Sequence, residues 1–228
     1  FLVVDPRIVE NPRTIHTITY RELRELSYMG ATVLHEDAIF PVSACGIPIN
    51  IRNTNKPEAE GTMIVASVEG ESRDGIVTGI AGKRNFSVIT LEKDMMNVER
   101  GFGRRVLSVL EEEGISFEHL PTGIDTMSIV VADKELDGKL EHVLEGIRSQ
   151  AHPDSIDVQR DMALIAVVGR SMVRSFGTAG RVFGALGRAK VNVRMIDQGS
   201  SELNIIVGVA NDCFHTAIRT IYDEFFAN

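Results

Sequence analysis

Apolar residues along this chain recur in two rhythms. Val106, Leu107, Val109 and Leu110 lie at helical spacing, as do Leu136, Leu140, Val143, Leu144 and Ile147. Short apolar runs at Phe86–Glu92, Met127–Val131 and Met162–Gly169 predict strands. Near the start, Phe1–Val4 is apolar and ends at Asp5-Pro6, where proline cannot donate to a ladder. Thr19 and Glu22 have capping-box spacing and predict a helix over Tyr20–Met29, stopped by Gly30. A second helix is expected over His35–Ala44, ending at Gly46, and then a strand at Ile47–Ile51. Asn53–Gly61 is polar and reads as a linker or surface loop; a strand at Met63–Val68 and a polar turn at Glu69–Gly75 follow.

The rest of the chain repeats itself at a shift of 76 residues. Ile89 falls on Ile165, Gly101 on Gly177, Arg105 on Arg181, Leu110 on Leu186, Gly123 on Gly199 and Val131 on Val207. Substitutions keep character: Ile115 matches Val191, and Leu120 matches Ile196. Copy one reads strand (Phe86–Glu92), helix, strand (Ile115–Leu120), strand (Met127–Val131), helix and closing strand (Ser155–Arg160). That order is the ferredoxin-like β-α-β-β-α-β unit, an antiparallel sheet with both helices on one face. Copy two ends after its second helix, Cys213–Phe226, without a fourth strand. An unused apolar strand, Ile76–Ala81, lies just before copy one. Either it closes copy two, so that copy one is inserted within copy two, or copy two keeps an exposed edge, which proteins usually avoid. The insertion is the economical solution.

Composition narrows the class. The 228 residues are 43% apolar and 25% charged, which are globular values for one to two domains. The longest apolar runs, such as Leu164–Val168, are too short to span a bilayer, and no signal peptide is evident. The start at Phe1 reads as a fragment or processed product. A net charge of −8 disfavours nucleic acid, because phosphate binding needs a basic footprint. Cys45 and Cys213 lack partners at metal or redox spacing; buried free thiols in a reducing cytosol are expected, and no metal site.

Ferredoxin-like modules serve many functions. A copper chaperone needs Cys-x-x-Cys in its first loop, and none is present. RNA-binding modules need aromatics on the middle strands, where Met127, Ser128 and Ile129 stand. Acyl-phosphate hydrolysis needs a second element beside Arg100. The glycine-bearing loop Asn97–Gly103 before the first helix remains. A helix N-terminus presents free N–H groups to a carboxylate, and Gly101 and Gly103 permit close approach. The same glycines could equally make only a tight turn.

The motifs carry a resemblance. Arg100-Gly-Phe-Gly-Arg-Arg-Val, His119-Leu-Pro-Thr and Gly123-Ile-Asp-Thr-Met-Ser-Ile resemble the first ACT domain of aspartate kinases. Gln198-Gly-Ser-Ser-Glu-Leu-Asn-Ile205 resembles the second. Val4-Asp-Pro-Arg-Ile-Val9, Ile18–Leu23 and Gly30–His35 resemble the end of the amino-acid-kinase domain in that family, most closely its lysine-sensitive, single-function branch. The resemblance covers essentially the whole chain. It implies an α/β (α+β) fold: residues 1–68 from the kinase domain, 76–83 with 161–228 as the second ACT domain, and 84–160 as the first, inserted.

The family phosphorylates aspartate with ATP and Mg²⁺ and is inhibited by an end-product amino acid bound to its ACT domains. The resemblance therefore implies a cytoplasmic enzyme whose regulatory part is this chain, with no catalytic residue and no cofactor of its own. The phosphate loop and aspartate-binding residues of the family are missing here. Arg7, within Asp5-Pro6-Arg7, matches an arginine near the nucleotide phosphates. Leu2 stands where some relatives carry a nucleotide-contacting tyrosine, and Thr32 where many carry an ATP-contacting lysine. His35 reads as a helix-start residue. The effector site maps onto Met96, Val98, Glu99, Gly101, Phe102, Gly103, Phe117, Glu118, Thr122, Gly123 and Ile124. Phe102 and Gly103 supply N–H groups to the effector carboxylate, and Glu118 pairs with an amine. Ile124 replaces an acid, with Asp125 beside it. In copy two, Arg194 takes the position of Glu118, so that copy reads as structural or dimerising. The resemblance implies lysine, or threonine, as effector, and a homodimer through the ACT domains. A stand-alone amino-acid sensor without kinase activity is the alternative.

Overall fold

The structure, a computed structural model, describes residues 1–31, 36–68, 75–199 and 201–227. Thr32 and His35 lie outside the described residues. The elements are β1 (Thr17–Thr19), α1 (Tyr20–Tyr28), α2 (Glu36–Ala44), β2 (Ile49–Ile51), β3 (Thr62–Val65), β4 (Gly79–Glu92), α3 (Phe102–Glu112), β5 (Thr126–Ala132), a short α4 (Asp133–Leu136), α5 (Leu140–Ala151), β6 (Ser155–Val168), α6 (Thr178–Arg188), β7 (Met195–Asp197), β8 (Asn204–Ala210) and α7 (Phe214–Phe226). Two sheets form, one ordered β1-β3-β2 and one ordered β5-β4-β6-β8-β7. The chain divides into two compact units, Phe1–Lys83 with Ala163–Asn228, and Arg84–Met162.

The unit Arg84–Met162 is copy one. Its strand β5 runs antiparallel to β4, with Phe86 opposite Ala132 and Glu92 opposite Thr126. Helices α3 and α5 pack together; a Cβ on Gly146 would meet Val109 at 2.7 Å, so glycine permits this approach. Ile89, Leu91, Ile129 and Val131 join Val106, Leu110, Val143 and Ile147 in one buried core. Removing this much apolar surface from water is the main stabilising term for the unit.

Three expectations from the sequence need correction. Ile76–Ala81 and Phe86–Glu92 are not separate strands: β4 runs unbroken from Gly79 to Glu92, and β6 likewise joins Ser155–Arg160 to the following run. Asn85 (φ 68°) and Asp161 (φ 59°) absorb a left-handed kink inside these strands. Asn and Asp tolerate that conformation better than other side-chain-bearing residues, so the ladder bends instead of ending. The expected strand Ile115–Leu120 is an irregular edge with isolated bridges His119–Val130 and Thr122–Met127. Glu118 N–H donates to the Val130 carbonyl (2.7 Å) while Val130 N–H donates to His119 (2.9 Å), so two residues face one. This is a β-bulge, which bends the strand and interrupts its pairing. The cysteines are not buried: Cys45 is exposed and Cys213 partly so, and both are free thiols.

In the other unit, β1 pairs parallel with β3 and β2 antiparallel with it. The capping box forms as expected: Glu22 N–H donates to Thr19 Oγ1 (3.3 Å), and Thr19 N–H to Glu22 Oε2 (2.9 Å). The Glu22 carboxylate then does more than cap. It is fully buried and accepts from Thr19 Oγ1 (2.7 Å), Thr78 Oγ1 (2.6 Å), Arg170 N–H (3.0 Å) and Arg170 Nη1 (2.9 Å). Thr78 precedes β4 and Arg170 follows β6, so one charge ties the N-terminal segment to copy two. Further ties are Ile80 N–H to Val3 carbonyl and Thr78 N–H to Val168 carbonyl, both 2.7 Å. Helices α6 and α7 pack together, and Ala163–Val168 of β6 is wholly buried.

Burial pushes the Glu22 carboxyl up, but the hydrogen bonds from Thr78, Arg170 and Thr19 outweigh it, and the net shift is downward. A depressed carboxylate contributes stability that is present above its unfolded value, about 4.3, and is lost as pH falls through the folded value. We predict that urea stability of this chain declines below about pH 4.3 and that Glu22→Gln flattens this decline. Arg170→Met, which strands the buried charge, should cost about 3–5 kcal/mol at pH 7. An unchanged slope in Glu22→Gln would remove Glu22 from this role.

Candidate functional site

The site is built where β4 hands over to α3. Lys93 N–H donates to the Asp125 carbonyl (2.9 Å), which fixes the start of the loop beside the turn at 121–125. Asp154 holds the same corner: its carboxylate accepts from Asp94 N–H (2.6 Å) and faces Lys93 Nζ (3.7 Å). The loop then coils through turns, Met96 to Lys93, Val98 to Met95 and Glu99 to Met96, each 3.1 Å. Gly101 ends it at φ 82°, a left-handed conformation that suits glycine, with no side-chain cap on the helix that follows.

The effector residues expected from the sequence divide into three groups. Met96 and Phe102 are core residues, 8% and 3% exposed, and anchor the loop with their side chains. Phe102 N–H makes a long turn bond to the Glu99 carbonyl (3.4 Å), so its donor is already engaged; Gly103 N–H lies in the first helical turn, where intrahelical acceptors are lacking. Glu99 is drawn into an ion pair with Arg105. Val98, Phe117 and Ile124 are exposed apolar side chains. Thr122 Oγ1 donates to the Leu120 carbonyl (3.0 Å), and Gly123 N–H closes the turn on Thr126 (2.8 Å).

One residue not foreseen joins these parts. Met127 pairs with Thr122, and its Cε lies 3.9 Å from where a Cβ on Gly103 would stand. Helix start and turn therefore meet across Met127. Alternation in β5 could have marked it, because it faces the helices with Ile129 and Val131. Glu118 sits further along the bulged edge, three residue pairs from Met127, roughly 10 Å at strand rise. Its Oε2 is buried without a hydrogen-bond partner. A buried carboxylate oxygen left unpaired is costly, and a cationic ligand group would relieve it.

Copy two repeats the frame with other chemistry. Gly177 takes φ 78° before α6, and Arg194 N–H donates to the Gly208 carbonyl while Met195 pairs with Gly208, a bulge at the matching residues but two residues further along its partner strand. A cation thus replaces Glu118 at the equivalent place. Phe176 in the loop is fully exposed.

At the other end of the chain, Asp5-Pro6-Arg7 forms a turn, with Ile8 N–H donating to the Asp5 carbonyl (2.9 Å). Arg7 Nε (3.0 Å) and Nη2 (2.6 Å) grip the Asp5 carboxylate, and this holds the Asp5 carboxyl below its ordinary range. The Arg7 side chain is 88% exposed, so a cation of set orientation faces outward. Among the described residues no group of three or more His, Cys, Asp or Glu could hold a metal ion.

Residues 2–53 match the amino acid kinase family, and residues 165–225 match an ACT domain. The chain is 44% identical over 225 residues to aspartokinase 3 of Bacillus subtilis, covering 98% of this chain and 49% of the relative. It is 32% identical to the bifunctional aspartokinase/homoserine dehydrogenase of Haemophilus influenzae, covering 98% and 28%. The crystal structure of Clostridium acetobutylicum aspartate kinase superimposes with a TM-score of 0.94 at 56% identity, over 99% of this chain and 52% of that one. E. coli aspartokinase III, solved in complex with lysine and aspartate, shares the fold with a TM-score of 0.79 at 24% identity, over 99% and 49%. The chain thus spans about half the length of aspartokinase 3.

The loop geometry predicts a contrast between two glycines. Gly101→Ala should destabilise the chain by about 1–2 kcal/mol, the cost of a left-handed alanine. Gly103→Ala should leave thermal melting nearly unchanged, since its Cβ meets only Met127 at ordinary contact. Equal losses would contradict the geometry. In sequence and in fold the chain is a homologue of the aspartokinases, with an amino acid kinase segment at 2–53 and an ACT domain at 165–225.

Proposed function

We propose that the chain is the C-terminal regulatory portion of an aspartate kinase. The whole enzyme phosphorylates the side-chain carboxylate of L-aspartate with ATP, giving 4-phospho-L-aspartate for lysine, threonine and methionine synthesis in the cytoplasm. An end-product amino acid, lysine in our reading, binds copy one and inhibits it. In this reading residues 1–68 complete the kinase domain, 76–83 with 161–228 form the second ACT domain, and 84–160 the first, inserted one.

The observation that carries the effector assignment is the buried, unpaired Glu118 Oε2. The effector carboxylate takes the N-terminus of α3 at Gly103, where a helix dipole favours negative charge. A long amino-bearing side chain then reaches toward Glu118 along the bulged edge. Threonine carries only its α-amine as a cation and cannot use both ends of this span. Val98, Phe117, Ile124 and the neighbouring Met95 (66% exposed) surround the site with apolar surface. That surface supports a two-fold dimer through copy one, the commonest closed assembly. Arg7 fits a nucleotide phosphate, being exposed and oriented by Asp5. Mg²⁺ finds no ligand set among the described residues.

A stand-alone sensor is the second reading. The Glu22 anchor disfavours it, because a sensor has no need of a kinase segment locked to its ACT module by a buried charge.

Calorimetric titration of lysine and of threonine into this chain tests the site. Lysine should bind, and Glu118→Ala should weaken it by roughly tenfold to a hundredfold, since a hydrogen bond to a charged group is worth about 1.5–3 kcal/mol. Gly103→Val should do the same without a change in melting. Threonine binding alone, insensitive to Glu118, would overturn the assignment. In sedimentation the chain should run as a dimer, and a monomer mass at every concentration would contradict the assembly.

A further inference from the structure

The kinase-family segment is gripped near Arg7 by the last helix of the ACT module. Arg219 Nε on α7 donates to the Ile8 carbonyl at 2.7 Å. One turn later, Tyr222 Oη accepts from Arg13 N–H (3.1 Å), and the Phe226 ring lies under the Arg13 guanidinium at 6.0 Å. Ile8 is therefore held three ways. Its side chain is buried at 8% exposure, its N–H donates to Asp5, and its carbonyl accepts from Arg219.

Arg7 stands between two fixed points. Asp5 orients its guanidinium through the two-pronged pair, and Ile8 fixes the peptide that follows it. Of these anchors only the bond to Ile8 comes from outside the turn. α7 lies within the ACT match, apart from its last residue, Phe226. A helix of the regulatory module thus touches the backbone of the turn that presents the outward-facing cation.

We propose that Arg219 is a positioning residue for Arg7: it sets the turn that presents this cation to the ATP phosphates, and it gives α7 a direct hold on nucleotide affinity. The inference rests on the reading of Arg7 in the proposed function. Shifting α7 loosens or tightens Ile8, and nucleotide affinity changes while the aspartate side is untouched. This is coupling through one direct hydrogen bond, with no long relay of contacts.

The test uses the full-length protein that carries this chain. Arg219→Met should raise KM for ATP about five- to tenfold, below the roughly tenfold to hundredfold of a lost charged hydrogen bond because the bond acts on Arg7 and not on the nucleotide itself. KM for aspartate, kcat and melting temperature should stay within experimental error. Arg219→Lys, which keeps a donor, should recover part of the loss. Arg7→Ala should raise KM for ATP by itself, and adding Arg219→Met to it should bring no further increase. An unchanged KM for ATP in Arg219→Met, or full additivity with Arg7→Ala, overturns the inference while leaving the kinase reading intact. Equal rises in both KM values with a lowered melting temperature also overturn it, by showing a merely structural role. A parent protein that does not phosphorylate aspartate fails the kinase reading and takes the inference with it.

Discussion

The buried carboxylate of Glu22 is the constraint from which the larger unit is built. A charge with no exposure to water is tolerated only when its oxygens are fully engaged. Its partners come from three stretches far apart in sequence: the helix cap at Thr19, Thr78 just before β4, and the turn after β6 at Arg170. A capping box is ordinarily local, worth about 1 kcal/mol. Here the same carboxylate also organises long-range contacts, so the kinase-family segment cannot leave copy two without stranding a charge. This agrees with the chain division that groups Phe1–Lys83 with Ala163–Asn228.

The two copies show which features of the module are scaffold and which are chemistry. Positive φ recurs at matched places: Asn85 with Asp161, Gly101 with Gly177, and Gly114 with Lys190. A bulge recurs too, at Glu118-His119 and at Arg194-Met195, although in copy two it sits two residues further along the partner strand. The turn and kink geometry has thus been kept while the register shifts and the charge at the bulge is reversed. The glycine loop alone does not make a site, because both copies have it. In the proposed reading, what separates them is the carboxylate that copy one leaves buried and unpaired.

Much of this was legible in the sequence, for physical reasons that differ by element. The capping box and the helical faces read correctly because they depend on residues three and four apart. The repeat exposed the module and its order of elements. The long strands were missed because Lys83-Arg84-Asn85 and Arg160-Asp161 look like breaks, whereas Asn85 and Asp161 bend a continuing ladder. The bulged edge was missed because its trace is a single step of three, from Phe117 to Leu120, in a run too short to separate a bulge from a loop. Within the site, the split between Met96 and Phe102 as core anchors and Val98 and Ile124 as exposed groups needed the fold. All four are apolar, and only burial tells them apart. The hold of Arg219 on Ile8 joins residues 211 apart and has no local signature at all.

The central claim is that copy one alone accepts an amino acid, with carboxylate at the start of α3 and amine at Glu118. Backbone amide NMR of this chain during a lysine titration tests it most directly. The account predicts saturable shifts centred on Gly101–Gly103 and on Glu118–Ile124, with Gly177–Ala179 and Arg194–Ile196 nearly still. Shifts confined to the copy-two positions, or spread evenly over both copies, would contradict it.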